Sequence, residues 1–426
     1  MTSAGRFVVG LLLLIAFVWT TPATAARLFT CGFEENNLLQ TMWTNTVNTA
    51  PTIQTTTVHS GTYALTKVTG TQGDVYRQFS ASLASGSLYT RFYFQMAGLP
   101  TFTRTMHYVT NTSASDTYRL RVTSGTGVLT LVNVAAGSTS FNGPTLLTNT
   151  WYRIEVRHLI SETAGQIEVR VWSVDGDTET EMSGSPFGDG NFTGGDGSDA
   201  DTVATNVQRW SWGSADGIWG ADVFFDDIAF NDTSGAFQTS FPIGTGNIVL
   251  IEPASDASMG WEDETAGASI TANVNDLPGT PDDVNYNKED DTLNSVDQMN
   301  ASASGLTNQT LVLLDVYARV GSTQTNPTTG RLKVWDHNGS LTNGPNVDFA
   351  VNGWRILSVG TTNEHQVFNL SGYTPGNLDS FDLGYENITD DATRARRVSA
   401  VWANVEYTAA GGAVAPPDRM LLGVGR

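Results

Sequence analysis

Residues 151–158 read Trp-Tyr-Arg-Ile-Glu-Val-Arg-His, and their alternation decides the fold class. In an extended strand successive side chains point to opposite faces, so Tyr152, Ile154 and Val156 share an apolar side and Arg153, Glu155 and Arg157 a charged one. The pattern recurs on either side. In DTYRLRV, Tyr118, Leu120 and Val122 oppose Arg119 and Arg121; in GQIEVRVWSVDG, Ile167, Val169 and Val171 oppose Glu168 and Arg170. Turn clusters such as SGTG, TAGQ and VDGD separate the runs, as in an antiparallel sandwich whose arginine faces meet solvent. Apolar residues at helical spacing never persist between the Gly, Asn and Thr clusters, so no helix of ordinary length is predicted. Composition agrees: of 426 residues 43 are Gly and only 15% are charged, while 40% hydrophobic content suffices for real cores.

A polar passage, NDTSGAFQTSFPIGTGN at 231–247, interrupts the strands and is followed by a fresh apolar strand from Ile248 to Ile251. Further strands are read in LVLLDVYARV, RLKVWD, GWRILSVG, FDLGYEN and RRVSAVWANVEY. The expected fold is therefore all-β, with two jelly-roll-like β-sandwich modules in tandem after a signal peptide. The divisions are residues 1–25 for the signal peptide, 26–240 for the first module, 241–246 for a linker, 247–409 for the second module and 410–426 for a loose tail.

The leader combines Arg6, an apolar run from Phe7 to Trp19, and Ala23-Thr24-Ala25, a small-x-small site for cleavage before Ala26. Thirteen apolar residues fall short of the ~20 a spanning helix needs, so the mature chain is expected to be exported, extracellular or periplasmic, without membrane insertion. Cys31 is the only cysteine, so it has no intrachain disulfide partner. A net charge of -21 repels phosphate backbones and anionic membranes, which excludes nucleic acid as an expected partner.

Acidic residues are concentrated. From Glu252 to Asp297 there are 12, against the single basic Lys288. Earlier, GGDGSDAD at 194–201 matches most of a calcium-binding glycine–aspartate repeat, except that Asp201 stands where a large apolar residue belongs. Calcium takes six to eight oxygen ligands in loose geometry, so Asp189, Asp196, Asp199 and Asp201 form one candidate set, and Asp282, Asp283, Asp290 and Asp291 a second. The competing reading is a pair of solvated, self-repelling loops. For a sugar ligand the candidates are Trp210, Trp212, Asp216, Trp219 and Asp222 in RWSWGSADGIWGAD, because pyranose faces stack on flat aromatic rings while carboxylates bond hydroxyls. The alternative places these tryptophans in the core.

The first module, through CGFEENNLLQTMW, TTTVHSGTYAL, SLYTRFYFQM, NTWYRIEVRHLI, GQIEVRVW and DVFFDDIAFND, resembles concanavalin A-like lectin/glucanase jelly rolls, including laminin G-like domains. That resemblance implies two curved antiparallel sheets with any ligand on the concave face or connecting loops. The second module, through GWEDETAGASITANVNDLPGTPDDVNYNKEDDT, LVLLDVYARV and RRVSAVWANVEY, resembles accessory domains of tailed-phage virion proteins. The Glu-x-Asp-x-(x)-Glu strand motif of the glucanases is missing. Polysaccharide lyases of the fold use a strand Arg with His and Tyr; Arg91, His107 and Tyr89 are the nearest equivalents, without the lyase motifs around them. No Gly-x-Ser-x-Gly elbow or His-based zinc pattern occurs, and no catalytic residue is assigned. The expected function is non-catalytic binding of a glycan or surface polymer, with a structural, particle-associated role and polysaccharide degradation as the alternatives.

Overall fold

A computed structural model describes residues 26–409, apart from 39–42, 84–85, 112, 136, 162–164, 190–206, 215, 234–236, 264–268, 275–282, 290–293, 323–328, 350–352, 358–364 and 390–395. The proposed leader and tail lie outside the described residues. All strand pairings are antiparallel, and the described helices are two short ones, Ile270–Val274 and Pro375–Leu378.

Two sheets form from residues before 232. The first runs Thr178–Glu181, Gln166–Asp175, Trp151–Ile160, Gly86–Met96, Val223–Asn231, Ala64–Lys67 and Thr52–Gln54, with Arg27–Cys31 paired to Val223–Asn231 and Phe187–Asp189 to Gln166–Asp175. The second runs Thr139–Thr145, Val128–Asn133, Asp116–Val122, Arg104–Asn111, Val207–Ser214, Gly73–Leu83 and Asn45–Asn48. Their inner faces supply one core: Tyr152, Ile154 and Val156 from one sheet pack with Tyr118, Leu120 and Val122 from the other. The sheets touch directly where the Phe92 ring lies 5.2 Å from the His107 ring and 6.3 Å from that of Trp212.

Two more sheets form from residue 247 onward. In one, the long strands Thr310–Ser322 and Arg396–Thr408 pair side by side, flanked by Asn247–Ile251, Glu262–Asp263, Asn287–Glu289, Gly353–Leu357 and Gln366–Asn369. The other holds Pro253–Ser258, Val296–Ala301, Asp382–Asn387, Thr329–Trp335, Leu341–Asn343 and Val347–Asp348. Val316, Ala318, Val401 and Ala403 pack inward with Val334, Leu383 and Tyr385 as a second core.

The arginine face of the first sheet does not meet solvent as the alternation suggests. Arg91, Arg153 and Glu155 are buried there beneath other parts of the chain. Residues 237–246 cross this face: Glu155 accepts from the Ile243 and Gly244 amides, Tyr93 Oη from the Gly246 amide at 3.3 Å, and Arg91 donates to the Gly244 carbonyl at 3.2 Å. Linker composition here marks a strap held by hydrogen bonds. At Gly246 a Cβ would collide with Arg91 Nη1 and Glu406 Oε1, so only glycine lets the strap pass.

Beyond the strap sits the outer face of the 310–322 and 396–408 strand pair. Residues 401, 403 and 405 point into their own core, while Ala400 and Trp402 join the core of the first sandwich together with Tyr317. Glu406 makes ion pairs with both Arg27 and Arg91, all three nearly fully buried. Asn404 Nδ2 donates to Glu35 Oε1 at 2.8 Å and to the Thr30 carbonyl at 2.9 Å, and the Thr30 amide donates to Tyr317 Oη at 3.2 Å. The polar stripe of the last strand is an internal seam.

Candidate functional site

The second sheet of the first sandwich keeps a polar outer face open. Register places Arg119 and Ser211 opposite Tyr108 on either side, Asp116 and Arg209 opposite Thr110, and Arg121 opposite Thr105. Because Tyr118, Leu120, Trp210 and Trp212 occupy the inner positions, their alternate neighbours Arg119, Arg121, Arg209 and Ser211 project outward. A hollow of about 240 Å³ opens on this face, lined by Val47, Thr105, Tyr108, Thr110, Ala114, Asp116, Arg119, Arg209 and Asp216.

Each guanidinium at the hollow has a carboxylate partner. Arg119 pairs with Asp116, Arg121 Nη2 lies 3.3 Å from Asp216 Oδ2, and Arg209 Nη2 lies 3.2 Å from Asp74 Oδ2. Arg209 also donates to Tyr108 Oη at 2.9 Å and to Ser211 Oγ at 3.1 Å, and lies 3.7 Å over the half-buried Tyr76 ring. Tyr108 donates to Asp74 Oδ2 at 2.5 Å. Burial raises the Asp74 carboxyl above its usual range against the opposing pull of the Tyr108 bond and Arg209. Burial, then the Asp74 charge, push the Tyr108 hydroxyl well up, so it stays a proton donor. Asp216 accepts from the Thr105 amide at 3.0 Å and hydroxyl at 2.6 Å, which pins the far rim. The buried Thr110 hydroxyl has no partner among the described residues. Fixed donors and acceptors thus alternate around a hollow with balanced formal charge.

The structure corrects the tryptophan reading. Trp210, Trp212 and Trp219 are 1%, 0% and 0% exposed, so no sugar face can reach them. Trp210 and Trp212 pack edge-on against Phe230 at 5.3 and 5.5 Å, and Trp219 lies 6.2 Å from Phe94. Of the neighbouring carboxylates, Asp216 lines the hollow, whereas Asp222 accepts from the Thr69 amide at 2.6 Å in a loop contact. Arg91 and His107, grouped above as lyase-like, also part company: Arg91 faces the seam with Glu406, and His107 is fully buried between the Phe92 and Trp212 rings.

Among the proposed calcium ligands, Asp189 is 3% exposed and accepts from Asn133 Nδ2 at 2.9 Å. Asp283 is engaged by Arg319 through two bonds of 2.7 and 2.6 Å. Asp196, Asp199, Asp201, Asp282, Asp290 and Asp291 lie outside the described residues. No cluster of three or more His, Cys, Asp or Glu suited to a metal occurs among the described residues.

Sequence reasoning missed Thr105, Tyr108, Thr110, Asp116, Arg119 and Arg209 as a site. Its one available signal was the pair of outward arginines of DTYRLRV, Arg119 and Arg121, which alternation alone assigns to solvent.

No protein-family profile matches the chain, and no curated protein matches it. Among solved structures, the chain is similar to the cellulose induced protein Cip1, with 17% identity, 47% of this chain and 96% of that chain covered, and a TM-score of 0.35. The N-terminal tandem CBM22 domain from Paenibacillus barcinonensis gives 8% identity, coverage of 90% and 98%, and a TM-score of 0.26. Domain 4 of AbnA, an extracellular arabinanase from Geobacillus stearothermophilus solved with arabinotriose, gives 11%, 52% and 99%, and 0.32. At these values the likenesses carry no argument about ligand. No described helix is long and apolar enough to cross a membrane.

Proposed function

We propose that the mature chain is an exported, non-catalytic glycan-binding protein whose ligand enters the hollow on the second sheet. The observation that carries the reading is the open sheet face on which the part-exposed Arg119–Asp116 and Arg121–Asp216 pairs and the Arg209 guanidinium converge. A sugar presents vicinal hydroxyls, each both donor and acceptor, and such fixed pairs bond them without reorganising. Since each guanidinium is already matched by a carboxylate, a uronate or sulfate would meet no uncompensated positive charge. The preferred ligand is a neutral glycan.

Binding of neutral and uronic-acid polysaccharides to the protein by calorimetry tests this. Arg119 is about one-third exposed, so Arg119→Ala should leave the melting temperature unchanged. It should weaken neutral-glycan binding about 10-fold or more, the worth of a charged hydrogen bond. Preference for uronates, or equal binding by the variant, overturns the reading. Release of shortened or unsaturated sugars from the same polysaccharides would establish degradation instead, and binding to isolated virus-like particles but to no glycan would favour the particle-associated role.

Calcium is proposed only as a stabiliser of the acidic segments 189–201 and 282–291. At free calcium one hundred times the dissociation constant, a native-only site adds about 2.7 kcal/mol. Thermal unfolding of chelator-treated protein with and without millimolar calcium, at constant ionic strength, should then differ; coincident curves remove the metal.

A further inference from the structure

The loops at the end of the first sandwich beside Asp216 are tied to one another by hydrogen bonds. The Gly70 amide donates to the Trp219 carbonyl at 3.3 Å, the Gly125 amide to the Pro100 carbonyl at 3.2 Å, and the Leu146 amide to the Gly127 carbonyl at 2.9 Å. On this end stand Val68, Leu99, Phe102, Leu147 and Ile218, five of the eight exposed large hydrophobic residues among those described. Concentration of this kind marks a contact surface, whereas single exposed apolar residues mark nothing.

Phe102 is the aromatic member and is 65% exposed. Arg104 packs over its ring at 5.1 Å and donates from Nε to the Ile218 carbonyl at 2.8 Å, joining two loops. Gly217, at φ +145°, makes that approach possible, since a Cβ there would lie 2.8 Å from Arg104 Cζ. Arg104 is next in sequence to Thr105, and Ile218 lies two residues beyond Asp216, so this platform begins where the hollow's rim ends. At ~3.4 Å per extended residue, Phe102 is at most about 10 Å along the chain from Thr105, the reach of the next sugar units.

The hollow itself, at about 240 Å³, falls below the ~300 Å³ at which pockets for drug-sized ligands begin, so a chain seated there must run on past its rim. We propose that the Phe102–Arg104–Ile218 loop end is a second subsite, which holds by ring stacking and apolar contact the units that follow the sugar seated in the hollow. This inference rests on the glycan-binding reading and adds the polarity of the ligand: one end in the hollow, the rest of the chain toward the loop end.

The test uses the full mature protein and neutral gluco- and xylo-oligosaccharides from monosaccharide to hexasaccharide, titrated calorimetrically. Affinity should rise with length. Phe102→Ala, at an exposed position that tolerates truncation, should remove a gain of about 3- to 10-fold for the longer sugars and leave the monosaccharide unaffected. Arg119→Ala should weaken all lengths alike. A length gain that survives Phe102→Ala overturns the second subsite while leaving the hollow intact. Absence of binding by the unaltered protein at every length overturns both.

Discussion

Replacing Glu406 with Ala should cost at least about 3–5 kcal/mol of stability, more than any exposed ion pair in the molecule could. Burial alone would raise the Glu406 carboxyl, but Arg27 and Arg91 beside it hold it below its usual value. Those guanidiniums are themselves 0% exposed, so losing the carboxylate strands positive charges away from water. Arg170 and Glu181 form the contrast, 3.9 Å apart and 27% and 35% exposed, and Glu181→Gln should cost under about 1 kcal/mol. Because Tyr317, Ala400 and Trp402 lie within the first sandwich's core, the unaltered protein should melt in one calorimetric transition, and Glu406→Ala should split it in two. Independent melting of two halves in the unaltered protein, or equal costs for the two variants, would show that the seam couples nothing.

The same seam shows where sequence stops being informative. Alternation is a local property, so Tyr118, Leu120 and Val122, or Tyr152, Ile154 and Val156, could be assigned to one face from six or seven letters, and the structure packs them inward. A charged residue at the alternate position reads the same whether it faces water or a buried partner. For Glu406 the deciding partner, Arg91, is 315 residues away. The candidate hollow was hidden for the same reason: Asp116, Tyr108, Arg209 and Asp216 come from three strands and a following loop, and only sheet register assembles them. Trp210 and Trp212 failed in the opposite way. Their spacing correctly put them on one side of a strand, but which side faces water depends on the neighbouring sheet, and Phe230 supplies the answer.

Two buried groups of the first sandwich should give stability opposite dependences on pH. His158 occupies an inward position of the Trp151–Ile160 strand, edge-on to Tyr118 at 5.3 Å, and neither ring nitrogen has a partner among the described residues. Burial pushes it down from 6.5 to about 3. The unfolded chain therefore takes up a proton that the folded chain refuses, and stability present above pH 6.5 is lost as pH falls toward 3. Glu34 runs the other way. Burial, with Asp227 and Glu35 nearby, raises it from 4.5 to about 8, although the Thr62 and Tyr63 amides donate to it and oppose the shift. Its contribution is complete below pH 4.5 and disappears as pH rises through 8. His158→Leu removes two orphaned nitrogens and should gain on the unaltered protein as pH drops from 6.5 to 3, by on the order of 4 kcal/mol at the acid end. Glu34→Gln keeps the acceptor oxygen without the charge, so it should gain between pH 4.5 and 8 by a similar order. Urea midpoints measured across pH 3–9 for the three proteins check both signs, and parallel curves for all three would mean that neither group carries a shifted proton affinity in the folded state.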